Sequence, residues 1–267
     1  MLLKLKKKTY YYHEDMQDDF GTIAHNSKPL KDNFKYIHHN IFYRFFSFIV
    51  YYIIAFPILW VVSKIVLGVK VKNKKYLRKE LNKKEGVFFY SNHCHYYDAF
   101  LSHIFAGFPR RTYVLSHADP INIPIIGTLV MMLGCLPLPN NMTNIRGFNK
   151  AMKELVNKGA MISIYPEGTL WPYYTGLRKF EKTSFKYAAM NNKPIVVCAE
   201  TFRKPLFKWM KPRMNLTFSH VIRPKEGLSV NENADYFYEE AMKFWNKEVL
   251  NENNYKSHVY LPIKEEK

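Results

Sequence analysis

Cysteine is scarce. Cys94, Cys135 and Cys198 are the only three, they lie far apart, and no CxxC pair occurs. That excludes a disulfide framework and a cysteine zinc site, and it fits a reducing cytoplasm. Acids are also short, 22 Asp and Glu against 40 Lys and Arg, a net charge of +18. An excess of that size predicts an anionic partner: nucleic acid, an anionic membrane surface, or acidic substrates. No internal repeat is present. No GxSxG elbow is present either, so direct base catalysis is simpler here than a covalent serine route. The basic start, Met1 to Lys8, runs into tyrosines and acids rather than an apolar core, so no signal peptide is expected.

What is present suits one well-packed domain. The chain has 267 residues, 48% apolar and 16% aromatic. One stretch stands out, the 19 uncharged residues from Phe45 to Ser63. A helix of about 20 apolar residues can span a bilayer core. Its Tyr, Trp and Phe content and Pro57 equally suit an interfacial helix or a half-embedded hairpin, and a buried core helix is the plain alternative. Basic residues flank it: Lys28, Lys31, Lys35 and Arg44 before, and nine Lys and Arg from Lys64 to Lys84 after. The positive-inside rule marks both flanks as cytoplasmic, which favours dipping in and returning.

Three stretches follow from these shifts: an extension over 1–40, a membrane-associated helical segment with a basic connector over 41–85, and an α/β domain over 86–267. Within the last, Val87–Tyr90, Thr112–Ser116, Ile162–Tyr165, Ile195–Phe202 and Asn215–Ile222 read as strands. Helices are expected over Asn149–Lys158, Lys182–Asn191 and Ala234–Val249. Leu129–Leu136 reads as a core helix or part of an apolar groove. Alternation of this kind predicts a mostly parallel, mixed sheet flanked by helices, with its chemistry at the carboxyl ends of the strands.

Two strands end in polar sequence. After the first comes Asn92-His93-Cys94-His95-Tyr96-Tyr97-Asp98. Asp98 can accept from one ring nitrogen of His93 and leave the other to take a proton. The same residues also read as an ordinary structural pair, or, with His95, as metal ligands. After the third strand comes Pro166-Glu167-Gly168-Thr169, a turn able to aim backbone N–H groups at an anion, or a plain surface turn. A loop from Arg203 to Arg213 interleaves five basic groups with Phe207 and Trp209. It suits nucleic acid, and with the apolar run nearby it suits a lipid surface better.

Together the two motifs resemble the glycerolipid acyltransferase family, most of all its 1-acyl-glycerol-3-phosphate (lysophosphatidate) acyltransferases. Asn92-His93 with Asp98 matches the first block, and Tyr165-Pro-Glu-Gly-Thr169 the third. Pro194-Ile195-Val196-Val197 matches the fourth, and Ile123-Pro124-Ile125-Ile126-Gly127 the stretch between. The resemblance makes 86–267 the acyltransferase domain. It implies transfer of a fatty acyl group from a thioester, on coenzyme A or acyl carrier protein, to lysophosphatidate. Another lysophospholipid or glycerol 3-phosphate is the alternative acceptor, and a basic nucleic-acid-binding protein the alternative of another class. The thioester is a co-substrate; no bound cofactor and no metal are implied. His93 would be the base and Asp98 its orienter. Glu167, Gly168, Thr169, Arg178 and Lys179 would hold the acceptor, at a membrane and on its cytoplasmic side. Three places depart from the family. No Arg follows Gly134 until Arg146, Leu170-Trp171 follow the third block, and Phe180-Glu181-Lys182-Thr183 stands at a later element. All fall where the family holds the acceptor phosphate, with Arg146, Arg178, Lys179 and Lys182 as replacements.

Overall fold

The structure is a computed structural model and describes residues 7–13, 18–21, 29–139, 141–250 and 254–263. Lys28, Asn140 and the tail 264–267 lie outside the described residues.

The centre is a seven-stranded sheet. Its strands are β2 (Lys70–Lys72), β3 (Val87–Ser91), β4 (Thr112–Ser116), β5 (Cys135–Pro137), β6 (Met161–Ile164), β7 (Ile195–Arg203) and β8 (Arg213–Phe218). Their order is β2-β8-β7-β3-β6-β4-β5, all neighbours parallel except the β7–β8 pair. The expected mixed, mostly parallel sheet is therefore present. β3 lies in the middle with every residue buried, because a central parallel strand is covered on both faces. Phe88, Tyr90, Ile162, Ile164 and Val197 point to one layer, against the helices Met142–Asn157 and Val230–Glu248. Val87, Phe89, Val196, Cys198 and Phe202 point to the other, against Leu101, Ile104 and Phe105. The alternation is the period-two geometry of strands.

Where expectation and structure differ, the causes are local. The helix expected from Asn149 begins at Met142, capped by the Asn141 side chain on the Asn144 N–H at 3.0 Å. Its first turns carry exposed Met142 and Ile145 and a buried polar Asn144, so no apolar stripe marks them. Asn144 instead holds the chain before the apolar helix, accepting from Phe34 N and donating to the Lys31 carbonyl. The helix expected through Leu136 stops at Met132, and Gly134 turns the chain into β5. Gly134 has φ +98°, and a Cβ there would stand 2.4 Å from the Thr112 carbonyl oxygen. β6 ends at Ile164, one residue before Tyr165. β8 shifts to Arg213–Phe218, leaving Ile222 only a bridge to Ile195.

The apolar run does not turn back. Ile41–Ile65 is one continuous helix of 25 residues, long and apolar enough to cross a membrane. The expected hairpin is absent because a π-helical stretch, Ile49–Ala55, runs up to Pro57. Phe56 donates to Tyr51 there, five residues back, and the widened turn accommodates a proline that an α-helical interior would not. One side of the helix packs lengthwise on the domain. Ser47 donates to the Met132 carbonyl, the Tyr51 hydroxyl accepts from Thr112 N, and the Arg111 guanidinium stacks 3.9 Å from the Tyr51 ring. The other side exposes Phe45, Ile53, Ile58 and Ile65.

A second sheet joins distant parts of the chain. β1 (Thr9–Tyr12) pairs in parallel with β9 (Val259–Pro262). Tyr10 stacks on Tyr260 at 4.9 Å, and Tyr260 on Trp171 at 4.8 Å.

Candidate active site

β3 and β6 are parallel neighbours, with Tyr90 opposite Ile164. Their carboxyl ends therefore deliver the two polar motifs side by side. Past β3 the chain folds back until Asp98 opens the short helix Asp98–Leu101. Asp98 is completely buried. Its Oδ2 accepts from the N–H of Cys94 at 2.8 Å and of His95 at 2.7 Å, and lies 3.0 Å from His93 Nδ1. The five-residue spacing is thus the reach of one tight turn.

Burial acts to raise the Asp98 pKa, but hydrogen bonds from His93 and Glu200 outweigh it, and the carboxyl is held below its ordinary value. An anion facing Nδ1 assigns the ring proton to that nitrogen and leaves Nε2 with its lone pair. His93 packs against Tyr165, ring centres 4.7 Å apart. The two residues line a cavity of about 530 Å³ whose walls include Ala99, Val114, Leu115, Leu138, Ile164 and Leu170. His95 behaves differently. Its ring lies against Tyr97 and Tyr173, and burial pulls its pKa down to about 4.

Pro166-Glu167-Gly168-Thr169 leaves β6 beside this turn. Glu167 Oε2 accepts from His93 N at 3.0 Å and from Arg178 Nη2 at 2.9 Å, and Oε1 accepts from Arg178 N at 3.1 Å. Arg178 also donates to the Thr169 hydroxyl and carbonyl. Gly168 has φ +74° and faces open space where a Cβ would stand, so the backbone conformation alone asks for glycine. Of the five residues expected at the acceptor, Gly168 lines the cavity. Glu167, Thr169 and Arg178 bind one another, with the Glu167 and Arg178 side chains buried. Lys179 and Arg146 are exposed, and Lys182 pairs with Asp235 at 2.7 Å. Among the described lining residues there is no Lys or Arg, whereas Asp19, Asp119 and Glu181 contribute carboxylates.

Sequence reasoning missed Glu200. It stands on β7, buried, with Ser91 Oγ donating to its Oε1 at 3.1 Å. A lone acid inside the apolar run Ile195–Phe202 was the signal, since an unpaired acid is seldom buried without a role.

The acyltransferase family model matches residues 68–231, which take in both motifs, β2 to β8 and the cavity lining apart from Asp19 and Gly21. The chain belongs to the acyltransferase family. It is an enzyme of that class, and among the described residues its α/β fold carries one helix long enough to span a membrane. Among solved structures, this acyltransferase is similar to the 1-acyl-sn-glycerophosphate (LPA) acyltransferase PlsC from Thermotoga maritima. The two are 16% identical, with 77% of this chain and 94% of that one covered, and the TM-score is 0.47. No curated protein matches the acyltransferase.

Proposed function

We propose that this acyltransferase moves a fatty acyl group from a thioester, on coenzyme A or acyl carrier protein, to the free hydroxyl of a lysoglycerolipid at a membrane surface. One observation carries the reading: His93 is anchored through Nδ1 to Asp98, and its ring lines a large, mainly apolar cavity. Nε2 takes the proton of the acceptor hydroxyl as its oxygen attacks the thioester carbonyl. The tetrahedral intermediate collapses, the C–S bond breaks, and the imidazolium returns the proton to the thiolate. Asp98 fixes the tautomer and stabilises the imidazolium. The apolar walls suit the acyl chain.

Lysophosphatidate, giving phosphatidate, is the first acceptor to test, because the ordered motif set resembles that branch of the family. A second reading, an acceptor other than lysophosphatidate, is favoured by the absence of Lys and Arg among the described lining residues. The anionic bilayer is the proposed surface. The apolar helix exposes one face, and Arg203 donates to the Gly68 carbonyl. That bond sets the loop with exposed Leu206, Phe207 and Trp209 beside the end of that helix. The nine Lys and Arg from Lys64 to Lys84, between the apolar helix and the catalytic domain, support a cytoplasmic side for that domain.

The test is a panel of lysophosphatidate, glycerol 3-phosphate and uncharged lysolipids against labelled acyl-coenzyme A and acyl carrier protein. At least one pair should be turned over, and His93→Ala should abolish that turnover. Full activity in the His93→Ala protein would overturn the mechanism.

A further inference from the structure

Asp98 spends one oxygen on three donors. The bonds from His93 Nδ1 and from the N–H groups of Cys94 and His95 all fall on Oδ2. Apart from the Glu200 carboxyl itself, no N–H or O–H donor among the described residues reaches Oδ1, and none reaches Oε2 of Glu200; both atoms are buried. The two carboxyl groups and the Cys94 thiol present ligand-type atoms within 4.8 Å of one another. Topology puts them there. Ser91 on β3 pairs with Cys198 on β7, so Glu200 lies just past the register of the strand end that launches the His93 turn. Its alternation with Cys198 and Phe202 sends its side chain into the layer that also holds the helix begun by Asp98.

Two buried, ionised carboxylates at this range repel each other, and water cannot screen them. A single proton between them satisfies both orphaned oxygens at once. Donor count decides where it resides. Asp98 has three donors that favour its ionised form, whereas Glu200 has Ser91 alone. Among the described residues no free cation faces Glu200 to hold a second negative charge. Its ionisable neighbours are Asp98, Glu167, Cys198, Cys94 and Tyr165. Glu167 is already paired with Arg178. Burial keeps both thiols and the phenol neutral. Burial and the charge of Asp98 likewise push the Glu200 pKa well above the usual carboxylate range.

We propose that Glu200 is a positioning residue, held as a neutral carboxylic acid whose proton is donated to Asp98 Oδ1. The proposal rests on the reading of His93 and Asp98 as base and orienter. Ser91, Asn92 and Glu200 then act through Asp98. Glu200 fixes the plane of the Asp98 carboxylate and so the aim of the His93 ring, and it tempers the basicity of Asp98. Glu200 itself touches no substrate. No proton leaves the Asp98–Glu200 pair during turnover; the proton that moves is the one on His93 Nε2.

Two variants and one spectrum test this in the full-length protein. Glu200→Gln keeps a neutral donor for Asp98 and an acceptor for Ser91, and should retain wild-type kcat and KM. Glu200→Leu removes the donor. It should lower kcat about a hundredfold through misplacement of the base, leave KM for the acyl donor unchanged, and move the acidic limb of the kcat/KM profile to higher pH. The infrared spectrum of the resting wild-type protein should contain a carboxylic-acid carbonyl band, absent from Glu200→Gln and retained in His93→Ala. That band reports on Glu200 whether or not His93 is the base, so failure of the mechanism and failure of the proposal give different results. Loss of activity in Glu200→Gln equal to that in Glu200→Leu would overturn the proposal. A wild-type spectrum without the band would do the same, as would a stoichiometric metal ion in the purified protein. The Gln variant and the spectrum decide the question even where the Leu variant does not accumulate.

Discussion

The side chain of Asn92 continues the β3–β7 ladder beyond the last paired strand residue. It donates to the Glu200 carbonyl at 3.0 Å and accepts from the Glu200 N–H at 2.8 Å. An amide carries the same donor and acceptor as a peptide group, which allows the backbone to leave the sheet at His93 while the sheet remains satisfied. The first residue of the polar motif is therefore a splice between two strands.

Replacing Asn92 with Ala leaves the buried N–H and C=O of Glu200 without partners. The expected cost is about 1–3 kcal/mol, together with a looser His93 turn. Denaturant unfolding in detergent measures the first. A fall in kcat larger than any change in KM measures the second.

Arg178 offers a sharper distinction. In the family resemblance it is a candidate for the acceptor phosphate, yet its guanidinium is bound to Glu167 and Thr169. Arg178→Gln should destabilise the protein by about 3 kcal/mol, because it strands a buried carboxylate. It should also depress turnover of phosphorylated and unphosphorylated acceptors by the same factor. Selective loss with phosphorylated acceptors alone would return Arg178 to the phosphate.

The Asp98–Glu200 pair gives stability an unusual pH dependence. Asp98 is depressed, so its contribution is present above the unfolded carboxylate pKa and is lost as pH falls through the folded one. Glu200 is raised, so the folded state holds a proton that the unfolded chain has released. Its contribution is present below the unfolded pKa and is lost as pH rises toward the folded one. Glu200→Gln removes the second dependence and leaves the first. Relative to wild type, the variant should gain about 1.4 kcal/mol per pH unit above roughly pH 4.5. Unfolding curves at several pH values check the slope; a constant difference between the two proteins would refute it.

Membrane attachment should follow the exposed side of the apolar helix. Phe45, Ile53 and Ile58 are each at least half exposed. Burying such a side chain in an apolar phase is worth about 1.5–3 kcal/mol. Changing all three to Ser should shift the protein from the membrane fraction to the soluble fraction, with the fold intact by circular dichroism. Ser substitution at Tyr51, on the packed side, should instead lower stability.

Much of the site was legible because its chemistry is contiguous. Asn92 to Asp98 form one turn, and Pro166 to Thr169 another; both sit at the ends of apolar runs that declare themselves as strands. Their meeting follows from β3 and β6 being neighbours. Glu200 was hidden because its relation to Asp98 depends on register across a parallel pair, which no local window contains. The short strands β1, β2, β5 and β9 have three or four residues each, too few to establish a period. Pro57 misled in the opposite direction. Proline usually ends a helix, and here the π-helical stretch before it lets the helix run on.

The pairing of β1 with β9 closes the longest loop among the described strand pairs. Tyr10 stacks on Tyr260, and Tyr260 on Trp171, across that closure. Trp171 donates to the Asp18 carbonyl, and Leu170 N to the Asp19 side chain, so residues 18–21 border the cavity beside Leu170. The aromatic rim beside the cavity thus depends on a long-range closure, with the chain entropy that such a loop costs, whereas the His93 turn is local in sequence.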